Sequence, residues 1–262
     1  ASATLINNEN GEVEAIVGGR SQDGNTFNRA SLGARQPGST MKPFVYTMAF
    51  ENGYYPDYIY EDKAIKGGPY NWYSGYKGNV PLRYAVEISI NTIPYRLADT
   101  LGAVNLYQNL ANMQFKYLTP QDKNAIIALG GFTKGVTTTE LSSAYSTLAR
   151  NGEFIEPTNV RKVTTIGTDE KIFENTHTKT RIFDSGASYL MTDTLKGVIN
   201  EKHGTGKRAK IDYKYQAGKT GTTDKNKDTW FAGYTPYYTM TVWSGEDTPT
   251  TIYSGLDIPK NI

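Results

Sequence analysis

The sequence of 262 residues predicts a mixed α/β fold in which strands from both ends of the chain form one sheet beside a largely helical region. The N-terminal stretch "TLINNENGEVEAIVGG" alternates around Asn10-Gly11, a pair typical of tight hairpin turns. Helical patterns then dominate the middle of the chain, and strand patterns return after Tyr215. An apolar fraction of 38% is enough for a core, and we expect a single domain over residues 1–262.

The first long helix is predicted from Thr40 to Asn52, because Met41, Phe44 and Met48 recur at helical spacing and a glycine follows. Residues 54–80 are rich in Tyr, Gly and Asp, show neither period and are predicted to be irregular. Further helices are predicted over residues 81–89, 92–101, 104–112, 138–151 and 186–200. The last strands are predicted in "YQAGKTGTT", "DTWFAGYTP" and "YYTMTVWSG".

Composition excludes several classes of function. The absence of cysteine rules out disulfides, thiolate metal sites and a cysteine nucleophile, and two histidines argue against a multi-histidine metal site. His177 and His203 are predicted to be solvated surface residues in polar loops. A net charge of +2 gives no electrostatic argument for nucleic acid or a membrane surface. The stretch "HGTGKR" fails the phosphate-loop pattern, because Arg208 stands where Ser or Thr is required. We expect no metal and no cofactor.

The stretch "STMK" places Ser39 three residues before Lys42. Ser39 is then either the N-cap of the helix or a nucleophile with Lys42 as its base. At about 100° per residue, both lie opposite the apolar stripe of the predicted helix and should point outward into a cleft or solvent. Pro43 lacks the amide that would bond the Ser39 carbonyl, a break in helix rules that a simple cap would not need. Both observations favour the catalytic interpretation, which predicts a hydrogen bond between Ser39 Oγ and Lys42 Nζ.

Two further motifs are weak on their own. The stretch "SIN", from Ser89 to Asn91, is typical of a turn between helices. In "KTG", Lys219 to Gly221, a glycine within a strand marks a place where a ligand can approach the backbone. Thr220 and Thr222 alternate onto one face and could present two hydroxyls to an anion, whereas simple alternation places Lys219 on the other face.

The order of the three motifs is more informative than any one of them. Ser-x-x-Lys comes first along the chain, followed by Ser-x-Asn and then Lys-Thr-Gly. This order is typical of penicillin-binding proteins and class A β-lactamases. The segments "RQPGSTMKPF", "ISINTIPYRLADTLG", "IIALGGFTKGVTTTELSSAYSTLARNG" and "AGKTGTTDKNKDTWFAGYTP" resemble the transpeptidase domain of class A, bifunctional penicillin-binding proteins. The likeness extends from the first hairpin to about Gly245.

This resemblance implies a serine β-lactamase-like fold with an antiparallel sheet, and a D,D-transpeptidase that cross-links peptidoglycan stem peptides. The partners would be a D-Ala-D-Ala donor, an amine acceptor and β-lactam antibiotics, which acylate such enzymes. The implied location is the extracytoplasmic face of the bacterial cytoplasmic membrane. The sequence lacks the glycosyltransferase domain, membrane anchor and last C-terminal helix of the class. We therefore expect a fragment, with membrane attachment only through the missing N-terminal region.

The resemblance also implies roles for individual residues. Ser39 would attack the carbonyl between the terminal D-alanines, with Lys42 as its base and Lys219 nearby to lower the pKa of Lys42. Ser89 would relay a proton to the leaving amine. Substrate binding would fall to Asn91, which bonds the peptide backbone, and to the carboxylate-binding stretch Thr220, Gly221 and Thr222. The backbone amides of Ser39 and Thr222 would form the oxyanion hole.

Three other functions remain open from the sequence. A β-lactamase would need a glutamate that positions water; Glu140 and Glu153 lie in the intervening region, but neither has a Glu-x-x-Leu-Asn context. A D,D-carboxypeptidase would differ only in using water as the acceptor. A non-enzymatic β-lactam sensor would retain the acyl group as a signal.

Overall fold

The computed structural model describes residues 1–20, 27–252 and 259 of the chain. In chain order the strands are β1 (Ser2–Asn7), β2 (Val13–Val17), β3 (Ile59–Asp62), β4 (Gly78–Pro81), β5 (Glu153–Ile155), β6 (Lys162–Thr164), β7 (Lys171–Glu174), β8 (Lys179–Arg181), β9 (Ala217–Thr222), β10 (Asp228–Tyr234) and β11 (Tyr238–Gly245). The α-helices are α1 (Arg29–Leu32), α2 (Lys42–Glu51), α3 (Leu82–Glu87), α4 (Thr92–Leu101), α5 (Ala103–Asn112), α6 (Thr138–Ala149) and α7 (Ser185–Asn200).

Five strands form the main sheet in the order β2-β1-β11-β10-β9, and every neighbouring pair is antiparallel. The N-terminal hairpin turns at Gly11, whose φ of +75° is a conformation that glycine adopts without strain. Strand β1 then pairs with β11, which places Ser2 opposite Trp243. The predicted fold class, an antiparallel sheet from both termini with a largely helical subdomain, is confirmed. Strand β9 lies at an edge of this sheet.

Helix α2 runs through the centre of the molecule rather than along its surface. Every residue from Lys42 to Phe50 is buried, and helices α4, α6 and α7 surround it. Phe44 meets Tyr145 of α6 edge to face, with ring centroids 5.5 Å apart. The prediction that Lys42 points outward into a cleft or solvent was therefore wrong, whereas Ser39 is partly exposed. A helix enclosed by other elements has no solvent side, and Lys42 is fully buried.

The start of α2 also differs from the prediction. Residues Gly38–Met41 form a 3₁₀ turn, and the α-helix begins at Lys42. The backbone N–H of Lys42 donates to the carbonyl of Ser39, so this carbonyl has a partner without any help from Pro43. Proline in the first turn of a helix removes an N–H that would have no helical partner in any case. Pro43 thus breaks no local rule and says nothing about the role of Ser39.

Several short strands were not predicted. Residues 54–80, expected to be irregular, contain β3 and the start of β4, which pair with each other. The pairs β5-β8 and β6-β7 lie between α6 and α7. Strands of three or four residues are too short to display a period in the sequence. The helices α3 to α7 lie where the sequence predicts helices.

No helix in residues 1–20 and 27–252 is both long and apolar enough to cross a bilayer. The same residues contain no group of three or more His, Cys, Asp or Glu side chains placed to hold a metal ion.

Candidate active site

The turn that carries Ser39 is held from three directions. The Tyr145 hydroxyl on α6 donates to the carbonyl of Thr40 at 2.7 Å, and the Trp230 indole on β10 donates to the carbonyl of Gln36 at 2.8 Å. The Gln36 side chain in turn accepts from the backbone N–H of Phe132 at 2.8 Å. Ser39 itself is partly exposed, while the residues on either side of it are buried. A solvent-accessible hydroxyl therefore sits on a rigidly held backbone.

Gly38, the residue before the serine, must be glycine for two reasons. Its φ of +56° lies in the left-handed region, and a Cβ there would lie 2.8 Å from the Thr222 carbonyl oxygen of β9 and 3.3 Å from its nitrogen. Gly130 packs on the opposite side, where a Cβ would come within 2.3 Å of the Gly38 carbonyl oxygen. The backbone of Thr222 thus lies directly against the turn that carries Ser39, as the predicted oxyanion hole would require.

Lys42 extends from the first turn of α2 into a buried polar pocket. Its Nζ donates to the Ser89 carbonyl at 2.7 Å, to Ser89 Oγ at 3.1 Å and to Asn91 Oδ1 at 2.6 Å. Within the described residues, none of its hydrogen bonds goes to Ser39. The predicted Ser39–Lys42 hydrogen bond is therefore absent from this structure, because all three ammonium protons already have acceptors in the "SIN" motif.

The surroundings of Lys42 favour its neutral form. Burial holds the pKa of the Lys42 ammonium well below the ordinary lysine value, and the positive charge of Lys219 lowers it further. An amine that spends time without its proton can act as a general base near neutral pH. The site therefore combines a buried basic amine with an accessible hydroxyl one helical turn away.

Ser89 occupies a strained position between helices α3 and α4. Its φ is +63°, a value that non-glycine residues rarely adopt outside constrained sites. Its Oγ accepts from Lys42 at 3.1 Å and from Lys219 at 2.9 Å. Because a hydroxyl has two acceptor lone pairs and one proton, these bonds leave the proton of Ser89 free for donation. The geometry suits a group that passes a proton onward.

Asn91 links the lysine to a loop that the sequence had left unassigned. Its Oδ1 accepts from Lys42, and its Nδ2 donates to the Tyr70 carbonyl at 2.7 Å. Its backbone N–H donates to Asn71 Oδ1 at 2.9 Å. The Asn91 side chain thus positions Lys42, and its Oδ1 keeps one lone pair for a further hydrogen bond.

Asp62 holds this loop in place through hydrogen bonds. The sequence did not identify it as part of the site. This buried carboxylate accepts from the Thr92 hydroxyl at 2.5 Å, from the Lys77 backbone N–H at 2.7 Å, and from the side chains of Asn71 and Tyr73. Burial by itself would raise the pKa of Asp62, but these hydrogen bonds outweigh it and hold the pKa below its ordinary value. A single aspartate in an aperiodic segment carries no sequence signal of such a role.

Strand β9 brings the third motif to the site. Lys219 is fully buried and donates from Nζ to Ser89 Oγ and, at 3.2 Å, to the Thr220 carbonyl. The strand face that holds Lys219 also holds Gly221 and packs against the turn of residues 38–41. Lys219 and Thr220 point to opposite faces of β9, as the sequence predicts. Lys219 reaches the site because its face of the strand is turned toward the helices.

Gly221 allows β9 to approach the nucleophile turn. A Cβ at this position would lie 2.4 Å from the Pro37 carbonyl oxygen and 2.8 Å from Thr40 Cγ2, so any side chain would force strand and turn apart. The glycine thus has a packing function in addition to its predicted place among the binding residues. The side chain of Thr222, the next residue, is exposed.

His203 is exposed in a loop, as predicted, but it is paired with a carboxylate rather than simply solvated. Its Nε2 lies 2.5 Å from the buried carboxylate of Glu87, the last residue of α3, and its ring packs on Tyr84 with centroids 4.9 Å apart. His177 is partly covered, with Nε2 3.6 Å from the Glu12 carboxylate. Both rings thus face carboxylates that lie outside the three motifs.

Comparison with known proteins shows the family of this chain. The family model for the penicillin-binding protein transpeptidase domain matches residues 1–246. The chain belongs to the penicillin-binding protein transpeptidase family. A curated relative, penicillin-binding protein 1A of Clostridium acetobutylicum, is 37% identical over 97% of this chain and 34% of its own length. The chain spans about a third of the length of the curated relatives that it matches. The predicted resemblance to the class A proteins is confirmed.

Solved penicillin-binding proteins share the fold of this transpeptidase domain. Penicillin-binding protein 1A of Haemophilus influenzae superposes with a TM-score of 0.81 at 26% identity, over 95% of this chain and 43% of its own. The penicillin-binding protein PonA1 of Mycobacterium tuberculosis superposes with a TM-score of 0.83 at 25% identity, over 99% of this chain and 74% of its own.

Neither glutamate considered for a hydrolytic role is free in this transpeptidase domain. Glu140 closes the capping box of α6, where its carboxylate accepts from the Thr137 backbone N–H at 2.7 Å and the Lys116 backbone N–H at 2.6 Å. Glu153 pairs with Arg181 at 2.9 Å and with Lys179 at 3.4 Å. Both carboxylates have structural partners away from the lysine pair, which removes the two candidates for a β-lactamase water base.

Proposed function

We propose that this domain is a D,D-transpeptidase that cross-links peptidoglycan stem peptides through an acyl-serine intermediate and is acylated by β-lactams. One observation carries the proposal: two buried lysines, Lys42 and Lys219, donate to the hydroxyl of Ser89 immediately behind the turn that exposes Ser39. Such a cluster supplies a base, a proton relay and a nucleophile without any histidine.

In the first step, Ser39 Oγ attacks the carbonyl between the two terminal D-alanines of the donor peptide. Neutral Lys42 accepts the hydroxyl proton, and to do so it must exchange one of its bonds to Ser89 or Asn91 for a bond to Ser39. Ser89 donates its free proton to the leaving amine and is reprotonated by the lysines. The C–N bond breaks, D-alanine departs and the acyl group stays on Ser39.

The developing oxyanion is assigned to the backbone N–H groups of Ser39 and Thr222. The close approach of Thr222 to Gly38 supports this assignment, because it brings strand and turn within contact distance. Asn91 is assigned to the peptide backbone of the donor. Thr220, Gly221 and Thr222 are assigned to its terminal carboxylate, which requires hydroxyl or amide donors at the edge of β9.

In the second step, an acceptor amine attacks the acyl carbonyl, and its proton passes through Lys42 to the Ser39 oxygen. The ester C–O bond breaks, so the acyl group leaves as the new amide and the Ser39 hydroxyl is restored. A D,D-carboxypeptidase would use water instead. Glu140 and Glu153 are each bonded to groups outside the three motifs, which supports slow hydrolysis. The substrates belong to the cell wall, so we infer that the domain acts at the extracytoplasmic face of the bacterial cytoplasmic membrane.

The test is a product assay with a pentapeptide ending in D-Ala-D-Ala, with and without an amine acceptor such as a free D-amino acid. We expect release of D-alanine and an acceptor-containing product by mass spectrometry, and neither from a Ser39→Ala variant. A shortened peptide without exchange product would indicate a carboxypeptidase. A stable β-lactam adduct with no peptide turnover would indicate a sensor, and rapid release of hydrolysed drug a β-lactamase.

A further inference from the structure

The segment Gly204-Thr205-Gly206, within the stretch "HGTGKR", lies against the carboxylate-binding strand. Thr220 Oγ1 of β9 donates to Thr205 Oγ1 at 2.8 Å. Thr220 is buried, with 8% of its surface exposed, whereas Thr205 is partly exposed. The segment that fails as a phosphate loop therefore contributes a hydroxyl beside the third motif.

Both flanking glycines pack closely on α7, and Gly204 leaves no room for a Cβ. A Cβ on Gly204 would lie 2.3 Å from the Val198 carbonyl oxygen of α7, and a Cβ on Gly206 would lie 3.2 Å from Val198 Cγ1. The Gly206 N–H donates to the Val198 carbonyl at 2.9 Å. The segment is thus pressed onto the C-terminal end of α7 and cannot move away from β9 without losing these contacts.

Glu87 fixes the same segment to the second motif. The Glu87 carbonyl accepts from the Thr205 backbone N–H at 3.2 Å, and its carboxylate holds His203. Because Ser89 follows Glu87 by two residues, Thr205 is tied to both sides of the site. These bonds give the hydroxyl of Thr205 a defined position, which a residue on an unattached surface loop would not have.

The number of protons on the two hydroxyls determines which of them can donate to a ligand. Each threonine hydroxyl carries one proton. Thr220 uses its proton in the bond to Thr205, so this proton cannot be given to a ligand while the bond exists. Within the described residues the proton of Thr205 has no acceptor, and Thr205 is the more exposed of the pair. The outward donor of the pair is therefore Thr205.

We propose that Thr205 is a binding residue for the carboxylate at the end of the donor peptide and of β-lactams, with Thr220 as the residue that positions it. Thr220 thus serves the carboxylate site assigned above through Thr205 rather than through a hydrogen bond of its own. The inference rests on the proposed function and extends its binding site beyond the three motifs. A hydrogen bond to a charged carboxylate is stronger than one between neutral groups, and its loss should be measurable as a rate.

The test compares a fluorescent penicillin that has a free carboxylate with its methyl ester, which lacks the charge. We would measure the acylation rate constants of both compounds for the wild type and for Thr205→Val, Thr205→Ala and Thr205→Ser. We expect Thr205→Val and Thr205→Ala to lower the rate with the free acid by roughly ten- to a hundredfold. The ester rate should change by less than about threefold, and Thr205→Ser should stay close to the wild type.

Thr192→Val is the matched control, because it also removes a partly buried threonine hydroxyl that contacts another hydroxyl, that of Tyr234, at 2.9 Å. It should leave both rates unchanged. Equal losses with acid and ester would show that Thr205 is only structural and would overturn the proposal, as would an unchanged acid rate in both hydroxyl-free variants. If the folded wild type is acylated by neither compound, the proposed function itself has failed.

Discussion

Lys219 Nζ lies 2.9 Å from Ser89 Oγ, although 130 positions separate the two residues in the sequence. The same oxygen accepts from Lys42, so the positive charges of two lysines converge on one hydroxyl. Burial, with the charge of Lys219 added to it, lowers the pKa of Lys42, and the two bonds to the Ser89 oxygen leave the Ser89 proton available for donation. Base and relay are thus produced by the same three side chains.

The first prediction concerns pH. Acylation of Ser39 should become faster as pH rises through the pKa of Lys42, because only the neutral amine accepts a proton, and the midpoint should lie below the ordinary lysine value of 10.5. In Asn91→Asp, a carboxylate replaces the amide oxygen that lies 2.6 Å from Lys42 Nζ. The carboxylate favours the ammonium form, so the midpoint should move to higher pH.

This shift is measured as the acylation rate with a fluorescent penicillin across a pH series. Asn112→Asp adds the same charge at an exposed position of α5 and serves as the control. If Asn91→Asp and Asn112→Asp gave the same midpoint as the wild type, Lys42 would not be the titrating base.

The second prediction tests the close contact between β9 and the nucleophile turn. Gly221→Ala places a methyl group 2.4 Å from the Pro37 carbonyl oxygen and should separate strand and turn. We expect a loss of about 1–3 kcal/mol in the free energy of unfolding and a large loss of acylation rate. Gly233→Ala on β10 is the control, because its nearest neighbour is the ring of the partly exposed Phe231. Normal acylation by Gly221→Ala would show that this contact does not support the site.

The third prediction separates support of the turn from general stability. Tyr145→Phe removes the hydroxyl that donates to the Thr40 carbonyl, and Tyr234→Phe removes one that contacts Thr192. Each should lower the free energy of unfolding by about 1 kcal/mol in denaturant titrations. Only Tyr145→Phe should also slow acylation. Of the two bonds removed, only the one to the Thr40 carbonyl holds the backbone next to Ser39. Equal acylation rates in the two variants would contradict this role.

The fourth prediction concerns Thr222, whose side chain is exposed at the edge of the site. Thr222→Ala should slow acylation by peptide and β-lactam at a cost of roughly 1.5–3 kcal/mol, the loss of a hydrogen bond to a charged group. Its backbone N–H remains, and the oxyanion site with it, so release of the acyl group should change much less. Separate rates of acylation and release decide the question. A large change in release alone would revive the hydrolase interpretation.

The sequence predicted the parts of the site that are encoded in short motifs. Lys42 lies one turn beyond Ser39, and the order of the "STMK", "SIN" and "KTG" motifs was enough to infer a common site. It also predicted the fold class and most of the long helices, because alternation and helical periodicity are local properties. The pairing of β1 with β11 agrees with the predicted sheet of both termini, but the pairing partner and its register were not predicted.

The remaining features depend on contacts between distant residues. The helical pattern of α2 could not show that this helix is enclosed on all sides, so the predicted Ser39–Lys42 bond failed. Asn71 reaches the site through a bond to the Asn91 backbone, and His203 is linked to the second motif through Glu87. The spacing of the glycines beside Thr205 invites comparison with a phosphate loop. Their contact with α7 has no sequence signature.

The most direct measurement of the central claim is the location of a β-lactam adduct. The folded protein is incubated with benzylpenicillin, and the mass of the intact protein and of its proteolytic peptides is determined. The account predicts a single adduct with the mass of the whole drug on Ser39, absent in Ser39→Ala and formed more slowly, but still on Ser39, in Ser89→Ala. No adduct, or an adduct on any other residue of the wild type, would contradict the account.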